Sequence, residues 1–289
     1  AIFASEPQKL YVARLGSPLV IGVGHNEYYV ASDATALAGL VKKVMYLKDG
    51  QHGVLSLDPS SGSGQAAISP ARPKIEPLEI DAEQAQKGNF PHFMLKEIFD
   101  GPEVVRAALR GRLHADKSFV RLGGLQNVTD RLQKITKIEL LACGTSYYSA
   151  LVGELLFEEL AGIPAEVVLA SEYRYRKHPI KKGTAALCIS QSGETADTLA
   201  ALRKANHHRL LTLGVVNAVG SSIARETIAG VYNHAGPEIG VASTKAFLSQ
   251  LAVLTLMALY VNSKKSNLHR DLMKALAAIP AKVQFVLKQ

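Results

Sequence analysis

Two hydroxyl-rich segments of this 289-residue chain have the residue types and spacing to bind an anion. They are residues 143–146 (Cys-Gly-Thr-Ser) and residues 190–195 (Ser-Gln-Ser-Gly-Glu-Thr). Each follows a short apolar run and opens a helical pattern. The start of a helix exposes unpaired backbone N–H groups and the positive end of the helix dipole, and the Ser and Thr hydroxyls add neutral donors. The two segments therefore predict a phosphate site.

The composition of the two segments narrows the ligand. Neither contains Lys or Arg, so neither matches the Gly-Lys-Ser/Thr ending of a nucleotide-binding P-loop. Neither contains the Gly-x-Gly-x-x-Gly pattern of a dinucleotide-binding turn. We therefore expect a small phosphorylated metabolite rather than a nucleotide.

A third segment, residues 236–245, also joins a strand-like run to a helical pattern. Gly236, Pro237 and Gly240 indicate irregular backbone, and Ser243 or Thr244 is a predicted N-cap. The apolar stretch that follows, residues 247–260, is shorter than the roughly 20 residues that a membrane span needs. We predict a core helix and no membrane partner.

These three segments resemble the first sugar isomerase (SIS) domain of the glutamine–fructose-6-phosphate aminotransferase (isomerising) family, also called glucosamine-6-phosphate synthases. The matching motifs are Ala142–Ser146, Ser190–Thr198 and Glu238–Phe247, in the order that the family has them. Residues 171–176 and 92–98 also resemble the family. The resemblance implies binding of fructose 6-phosphate or glucosamine 6-phosphate. It implies that the ligand-binding residues are Gly144, Thr145, Ser146, Ser190, Gln191, Ser192, Thr195, Val241 and Ser243.

The N-terminal part resembles the end of the same family's glutaminase domain, at residues 16–22 and 29–33. Short strand-like runs at residues 10–14, 19–23, 28–31, 44–47 and 53–57 predict a piece of a layered sheet structure. The resemblance implies an Ntn-hydrolase-like, α+β segment. Family members begin this domain with a nucleophilic Cys, whereas the first residue here is Ala1.

The resemblance also implies what the chain does. In the family, ammonia from glutamine combines with fructose 6-phosphate, and isomerisation gives glucosamine 6-phosphate. A second SIS domain supplies the Glu, Lys and His of isomerisation, so we expect no catalytic residue in this chain. We interpret the chain as part of a longer enzyme, inactive alone, that binds the sugar phosphate.

The elements alternate regularly after residue 121. We predict strands at 138–142, 165–169, 184–189, 210–216 and 229–233, and helices at 146–161, 195–206, 221–226 and 244–261. This α/β pattern predicts a five-stranded parallel sheet between two helical layers. We expect a glutaminase-like part at residues 1–80, a helical linker at 81–120, a SIS domain at 121–268 and a connector helix at 269–289. Within the linker we predict two helices, 92–99 and 103–111, with a break at Gly101-Pro102. In the last helix, Pro280 predicts a kink or a break.

Composition excludes several function classes. The net charge of +8 suits an anionic substrate but is spread along the chain, so nucleic-acid binding is not predicted. The two cysteines, Cys143 and Cys188, form no C-x-x-C pair and indicate a cytoplasmic protein. Adjacent His207 and His208 lack further ligands at metal spacing, so no metal or cofactor is predicted. The family resemblance implies a homodimer through SIS domains.

Alternative interpretations stay open from the residues alone. Thr145 or Ser146 could instead cap the N-terminus of the next helix. Cys143 is interpreted as a packed side chain rather than a nucleophile. Glu194 is assigned to helix stabilisation or sugar hydroxyls, because a carboxylate beside phosphate is a like charge. A non-catalytic sugar-phosphate sensor, or another SIS isomerase or deglycase, is the alternative function.

Overall fold

The computed structural model describes residues 5–6, 8–16, 18–57, 64–71, 73–78, 87–116, 118–177, 179–261 and 267–289. The chain divides into two compact units, Ala1–Gln86 and Lys87–Gln289.

The first unit is built from two antiparallel sheets. Its strands are β1 (Lys9–Ala13), β2 (Val20–Val23), β3 (Tyr28–Ala31), β4 (Lys43–Tyr46), β5 (His52–Leu57), β6 (Gly64–Ser69) and β7 (Ile75–Pro77), with a 3-10 turn at Ala34–Leu37. One sheet has the order β1-β5-β6 and the other β3-β2-β4-β7. Apolar side chains from both sheets form one cluster, including Val12, Ile21, Met45 and Leu55. The five predicted strands and their layered packing are confirmed.

Two strands of this unit were missed by the sequence analysis. Residues 64–69 and 75–77 were not among the predicted strands, yet they form β6 and β7. The Pro-containing residues 69–73 have the composition of a surface loop, and the described residues after Ser69 do connect these two strands. The sequence of β6, Gly-Gln-Ala-Ala-Ile-Ser, has small and polar residues in place of the β-branched residues that mark a strand. Residues 58–64, Asp-Pro-Ser-Ser-Gly-Ser-Gly, have the composition of a surface loop and lie, except for Gly64, outside the described residues.

The second unit is an α/β structure. Its strands are β8 (Leu113–His114), β9 (Phe119–Val120), β10 (Lys137–Ala142), β11 (Ala165–Leu169), β12 (Thr184–Ser190), β13 (Leu211–Val216) and β14 (Ala229–Tyr232). Its helices are α1 (Phe93–Leu109), α2 (Thr129–Leu132), α3 (Gly144–Leu156), α4 (Ala170–Tyr173), α5 (Ala196–His207), α6 (Ser222–Glu226), α7 (Lys245–Val261) and α8 (Asn267–Val286). A 3-10 helix covers Gly123–Val128, and α3 continues into a π-helical turn, Phe157–Ala161.

The central sheet has five parallel strands in the order β11-β10-β12-β13-β14. All seven residues of β12 are buried, as expected for a strand covered on both faces. Leu140 and Leu187 pack into one apolar cluster, whereas Leu141 and Cys188 pack into a second on the opposite face. The predicted parallel sheet with helices on both faces is confirmed.

The prediction of two helices broken at Gly101-Pro102 was wrong, because α1 runs unbroken from Phe93 to Leu109. Pro102 removes one backbone donor, but α1 packs against both α7 and α8. A Cβ atom on Gly101 would lie 3.0 Å from Leu248 Cδ1, so the helices approach closely at this point. Helix α8 likewise continues through Pro280. Tertiary packing outweighs the local cost of proline at both positions.

Helix α7 is the predicted core helix, with buried residues on every side. No helix within the described ranges combines the length and the apolar character required to cross a membrane.

Strand β14, at one edge of the sheet, is covered by close backbone packing. A Cβ atom on Gly124, in the 3-10 helix, would lie 2.0 Å from the Gly230 carbonyl oxygen. A Cβ atom on Gly230 would lie 2.6 Å from the Gly214 carbonyl oxygen. Since no side chain fits in either gap, glycine is required at positions 124 and 230.

Candidate anion-binding site

The two hydroxyl-rich segments begin at neighbouring strand ends. Strands β10 and β12 pair directly in parallel, with Leu141 opposite Cys188. Parallel strands lie about 4.8 Å apart, and their carboxyl ends meet at one edge of the sheet. Residues 143–146 and 190–195 therefore leave the sheet side by side, at the edge where α/β proteins bind ligands.

The first segment presents free backbone donors at the start of α3. Gly144 adopts a left-handed conformation, with φ of +58°, and a Cβ atom at this position would meet nothing within 4 Å. The N–H groups of Gly144, Thr145 and Ser146 have no acceptor among the described residues. Cys143 occupies the N-cap position and makes no side-chain cap bond, so neither Thr145 nor Ser146 is the N-cap. The capping alternative was therefore wrong, and the helix start is open to an anion.

The second segment is organised by its own hydroxyls. The buried Ser190 Oγ accepts the Gly193 N–H at 3.0 Å and lies 3.0 Å from Thr195 Oγ1. Ser192 Oγ accepts the Glu194 N–H at 3.2 Å. Gly193 has a φ of +66°. The hydroxyl protons and the N–H groups of Ser192 and Thr195 are thus held in a fixed loop.

Glu194 stabilises a neighbouring helix rather than its own. Its Oε1 accepts the Ser222 N–H at 2.9 Å, at the start of α6. The Gly193 carbonyl accepts the next N–H, from Ile223, also at 2.9 Å. Glu194 was predicted to stabilise the helix that follows it, whereas its Oε1 hydrogen bond is to the start of α6. The contact ties the loop after β12 to the loop after β13.

The backbone of the third segment is held by the side chains of Asn217 and Glu97. Asn217 accepts the Ala235 N–H at 2.7 Å and donates to the Gly236 carbonyl at 2.7 Å. Glu97, on α1, is only 1% exposed, and its Oε1 accepts the Ile239 N–H at 2.6 Å. Both Glu97 oxygens lie within 3.2 Å of the Gly240 nitrogen. These bonds fix the backbone on either side of Pro237.

The start of α7 is capped by a side chain that the sequence analysis did not choose. Glu238 Oε1 accepts the N–H groups of Thr244 at 2.8 Å and Ala246 at 3.1 Å. The Thr244 hydroxyl is buried and has no hydrogen-bond partner among the described residues. Thr244 directly precedes α7, at the predicted N-cap position, but its hydroxyl does not cap the helix. A carboxylate stabilises the positive end of the helix more strongly than a neutral hydroxyl does.

Helix α7 connects the third segment to the first. Gln250 Nε2 donates to Ser146 Oγ at 2.8 Å, and Ser149 Oγ donates to Gln250 Oε1 at 2.8 Å. All three side chains are buried. Lys245, 3% exposed, pairs with Asp100 of α1 at 3.1 Å. Lys245 is therefore held in an ion pair within the protein. The Ser146 hydroxyl is bonded to Gln250, but the Ser146 N–H, at the start of α3, remains available to a ligand.

The nine predicted site residues differ in what they present. Gly144 and Thr145 are exposed, while Gln191, Ser192, Thr195 and Ser243 are half-buried. Ser146 and Ser190 are buried and support the loops through their hydroxyls. Val241 is fully exposed and offers its backbone rather than a packed side chain. The residues of the first two segments lie at adjacent strand ends, and the third segment joins them through α7.

Four supporting residues were not predicted from the sequence: Glu97, Asn217, Glu238 and Gln250. A signal for Glu97 exists in the pattern of α1. The other buried residues of this helix include Gly101, Val104, Val105 and Ala108, so Glu97 lies one turn before them on the apolar stripe. A lone Glu in such a stripe indicates a buried carboxylate with specific partners.

The two cysteines have different environments. Burial raises the pKa of the Cys188 thiol to about 12, so this side chain is a neutral core residue. Cys143 is partly exposed and begins the first loop. Across the described ranges, no three His, Cys, Asp or Glu side chains are grouped to hold a metal ion.

The comparisons with known proteins agree with this geometry. Residues 131–260, which contain the sheet and all nine predicted site residues, match the model of the SIS domain. The chain carries a SIS domain. The C-terminal domain of glucosamine-fructose-6-phosphate aminotransferase from Francisella tularensis has a similar structure, with a TM-score of 0.63 and 35% identity. That match covers 68% of this chain and 55% of the Francisella chain.

Similarity extends beyond the SIS domain to the whole chain. A glutamine–fructose-6-phosphate aminotransferase [isomerizing] of Chlorobaculum tepidum is 44% identical over all of this chain and 47% of its own length. The proteins of that name from Bacteroides thetaiotaomicron and Methanosarcina acetivorans are 40% and 41% identical. The chain thus spans about half the length of these relatives. The resemblance carried by the three motifs is confirmed.

Proposed function

We propose that this chain is part of a glutamine–fructose-6-phosphate aminotransferase and binds the phosphate of fructose 6-phosphate or glucosamine 6-phosphate. The observation that carries the proposal is the pairing of β10 with β12, which puts two donor-rich turns side by side. The free N–H groups of Gly144, Thr145 and Ser146 supply an anion site at the start of α3. The names of the relatives supply the substrate.

The chemistry of the site favours a phosphate monoester with a polar body. The donors at the loops are neutral, so affinity rests on several directed hydrogen bonds rather than on ion pairs. Hydrogen bonds to a charged group contribute about 1.5–3 kcal/mol each, so four or five offset the cost of phosphate desolvation. The third segment, with Val241 and Ser243, then contacts the sugar rather than the phosphate. In the full enzyme, this anchoring holds the sugar carbons against the acid–base groups of isomerisation.

For the first unit we propose a glutaminase-type segment. Its two packed antiparallel sheets support this assignment, and so does the extension of the similarity through both units. A stand-alone sugar-phosphate sensor or a simple isomerase has no use for such a segment. Catalysis of glutamine hydrolysis and of isomerisation is proposed for the full-length enzyme, with the phosphate cradle as the contribution of the residues described above.

Titration calorimetry with fructose 6-phosphate tests the proposal. We expect the double variant Ser192→Ala/Thr195→Ala to bind at least about tenfold more weakly, because two hydroxyl donors to a dianion are lost. The matched control is Thr129→Ala/Thr136→Ala, which also removes two hydroxyls. In the native chain these two hydroxyls lie near the Gln126 and Lys182 carbonyls and the Tyr260 hydroxyl, outside the site.

Circular dichroism and thermal unfolding establish that both double variants are folded. Equal affinity of the Ser192/Thr195 variant and the native chain would contradict the assignment of the second loop. If the native chain bound no sugar phosphate, the proposed function itself would fail.

We propose that two copies of the chain associate through α3. This helix exposes four large apolar side chains with the spacing of one helical face: Tyr148, Leu151, Val152 and Leu155. An apolar stripe of this kind is self-complementary across a twofold axis. Leu155→Lys should lower the dimer fraction in sedimentation velocity, while Leu15→Lys, at an exposed leucine of the first unit, should not. A native chain that sediments as a monomer would contradict this proposal.

We place the protein in the cytoplasm. Cys143 and Cys188 are both free, as in proteins of reducing compartments.

A further inference from the structure

A second concave surface lies at the amino ends of the central strands, away from the hydroxyl-rich loops at their carboxyl ends. It has a volume of about 640 Å³, within the range of small-molecule sites. It is lined by the segment before β10, by the amino ends of β12 and β13, and by the end of α5. Strand β12 spans seven residues, so roughly 20 Å separates this surface from the hydroxyl-rich loops.

The rim of this surface is strongly basic. Six of its lining residues are cationic or imidazole side chains: Arg131, Lys134, Lys181, Lys182, His208 and Arg209. No described lining residue is acidic. None of the six side chains forms an ion pair or hydrogen bond with the residues that the structure describes. Elsewhere in this unit, Arg174, Arg203 and Lys245 each pair with a carboxylate. Uncompensated positive charge is therefore concentrated in one concavity.

The floor of the surface adds two features. Ile135, Ile180 and Leu210 give it an apolar base, which lowers the local dielectric and strengthens the field of the rim. Thr184 also lines it, is 4% exposed, and its Oγ1 is buried with no hydrogen-bond partner among the described residues. A polar group in this state indicates a site whose hydrogen bonding is completed from outside the chain.

We infer that this concavity binds a small anion with two or more adjacent phosphate groups. Near neutral pH a single phosphate carries no more than about two negative charges, whereas five Lys and Arg side chains surround the surface. A diphosphate brings about three charges within a few ångströms and matches the rim better. The site is separate from the sugar-phosphate loops, so both ligands bind at the same time.

The test is titration calorimetry of the chain with inorganic pyrophosphate at about 0.15 M salt, where exposed charges are largely screened. We expect binding to the native chain, and an affinity lower by about tenfold in Lys181→Gln/Lys182→Gln. Arg131→Gln/Lys134→Gln, on another part of the rim, should weaken binding similarly. The control is Lys274→Gln/Lys282→Gln on α8, which removes the same charge from two exposed positions.

Parallel titrations with ADP distinguish an inorganic from a nucleoside diphosphate. Tighter binding of ADP assigns a role to the apolar floor, and equal binding assigns recognition to the phosphates alone. Unchanged pyrophosphate affinity in the presence of fructose 6-phosphate supports a separate site. No binding by the native chain, equal weakening by the α8 control, or displacement of pyrophosphate by fructose 6-phosphate would overturn the inference.

Discussion

The carboxylate of Glu97 accepts the backbone N–H of Ile239 at 2.6 Å, across 142 residues of chain. The same carboxylate accepts the Gly240 N–H, and a Cβ atom on Gly240 would lie 2.6 Å from Glu97 Oε2. Asp100, three residues further along α1, pairs with Lys245. Helix α1 thus holds the third segment on both sides of its exposed residues, 241 and 242.

Removal of the Glu97 carboxylate should loosen the third segment. Glu97→Ala leaves two N–H groups without acceptors, and we expect a loss of about 3 kcal/mol in unfolding free energy. Hydrogen exchange should accelerate at Ile239 and Gly240 but not in β12. Glu97→Gln keeps one acceptor oxygen and should restore part of the protection. Glu103→Ala, at an exposed pair on the same helix, is the control. Unaltered exchange at Ile239 in Glu97→Ala would rule out the positioning role.

Two glycines with the same backbone conformation should respond differently to alanine. Gly193 and Gly220 have φ of +66° and +72°. A Cβ atom at position 220 meets nothing within 4 Å, whereas one at 193 would lie 2.0 Å from Ser221 Oγ. We expect Gly220→Ala to cost about 1 kcal/mol from backbone strain alone, and Gly193→Ala about 1–3 kcal/mol more. Urea unfolding measures both, and equal costs would show that the loop relaxes freely.

The role of Glu238 in capping α7 can be tested by comparison with Thr244, whose hydroxyl makes no capping bond. Glu238→Ala should destabilise the chain by about 1–2 kcal/mol, because two N–H groups at the helix start lose a charged acceptor. Thr244→Val should be neutral or stabilising, since the hydroxyl that it removes has no partner among the described residues. Thermal and urea unfolding of the two variants provide the comparison. A larger loss in Thr244→Val than in Glu238→Ala would contradict the assigned cap.

The buried Cys188 thiol predicts a pH dependence at alkaline pH. Burial raises its pKa to about 12, while an unfolded thiol ionises near 8.5. Between these values the folded chain holds the proton and the unfolded chain releases it, so stability falls as pH rises. The expected slope is about 1.4 kcal/mol per pH unit above 8.5, and this contribution is fully present below that pH.

Urea unfolding of the native chain and of Cys188→Ala between pH 8 and pH 10 measures this slope. Cys188→Ala changes stability by a constant amount and should remove the thiol contribution to the pH dependence. Identical slopes for the two proteins would contradict the assignment.

The sequence was sufficient for the fold where burial and periodicity agree. The runs at Lys137–Ala142 and Thr184–Ser190 are mostly apolar because both faces of the sheet are covered, so their positions could be predicted within a residue or two. β6 and the unbroken α1 were missed for the opposite reason. β6 is paired by its backbone with β5, and α1 is stabilised by packing with α7 and α8, and neither contact is visible in local sequence.

The sequence was sufficient to identify the hydrogen-bond donors of the candidate site, but not the residues that hold those donors in place. Clustered hydroxyls before a helix have a local signature, which identified residues 143–146 and 190–195. The partners that hold them come from distant positions: Gln250 reaches Ser146 across 104 residues, and Glu194 reaches Ser222 across 28. The side chain that caps α7 was not predicted, because Glu238 reaches the helix through the fold of the intervening loop.

The backbone contact of Gly124 with Gly230 also determines how this sheet can aggregate. The 3-10 helix Gly123–Val128 packs against β14, so the backbone hydrogen-bonding groups at the edge of β14 are not accessible to a strand from another molecule. The opposite border, β11, is the remaining route for strand addition in the five-stranded sheet. A bulky residue at position 124 or 230 would open a second border and create a template for polymerisation.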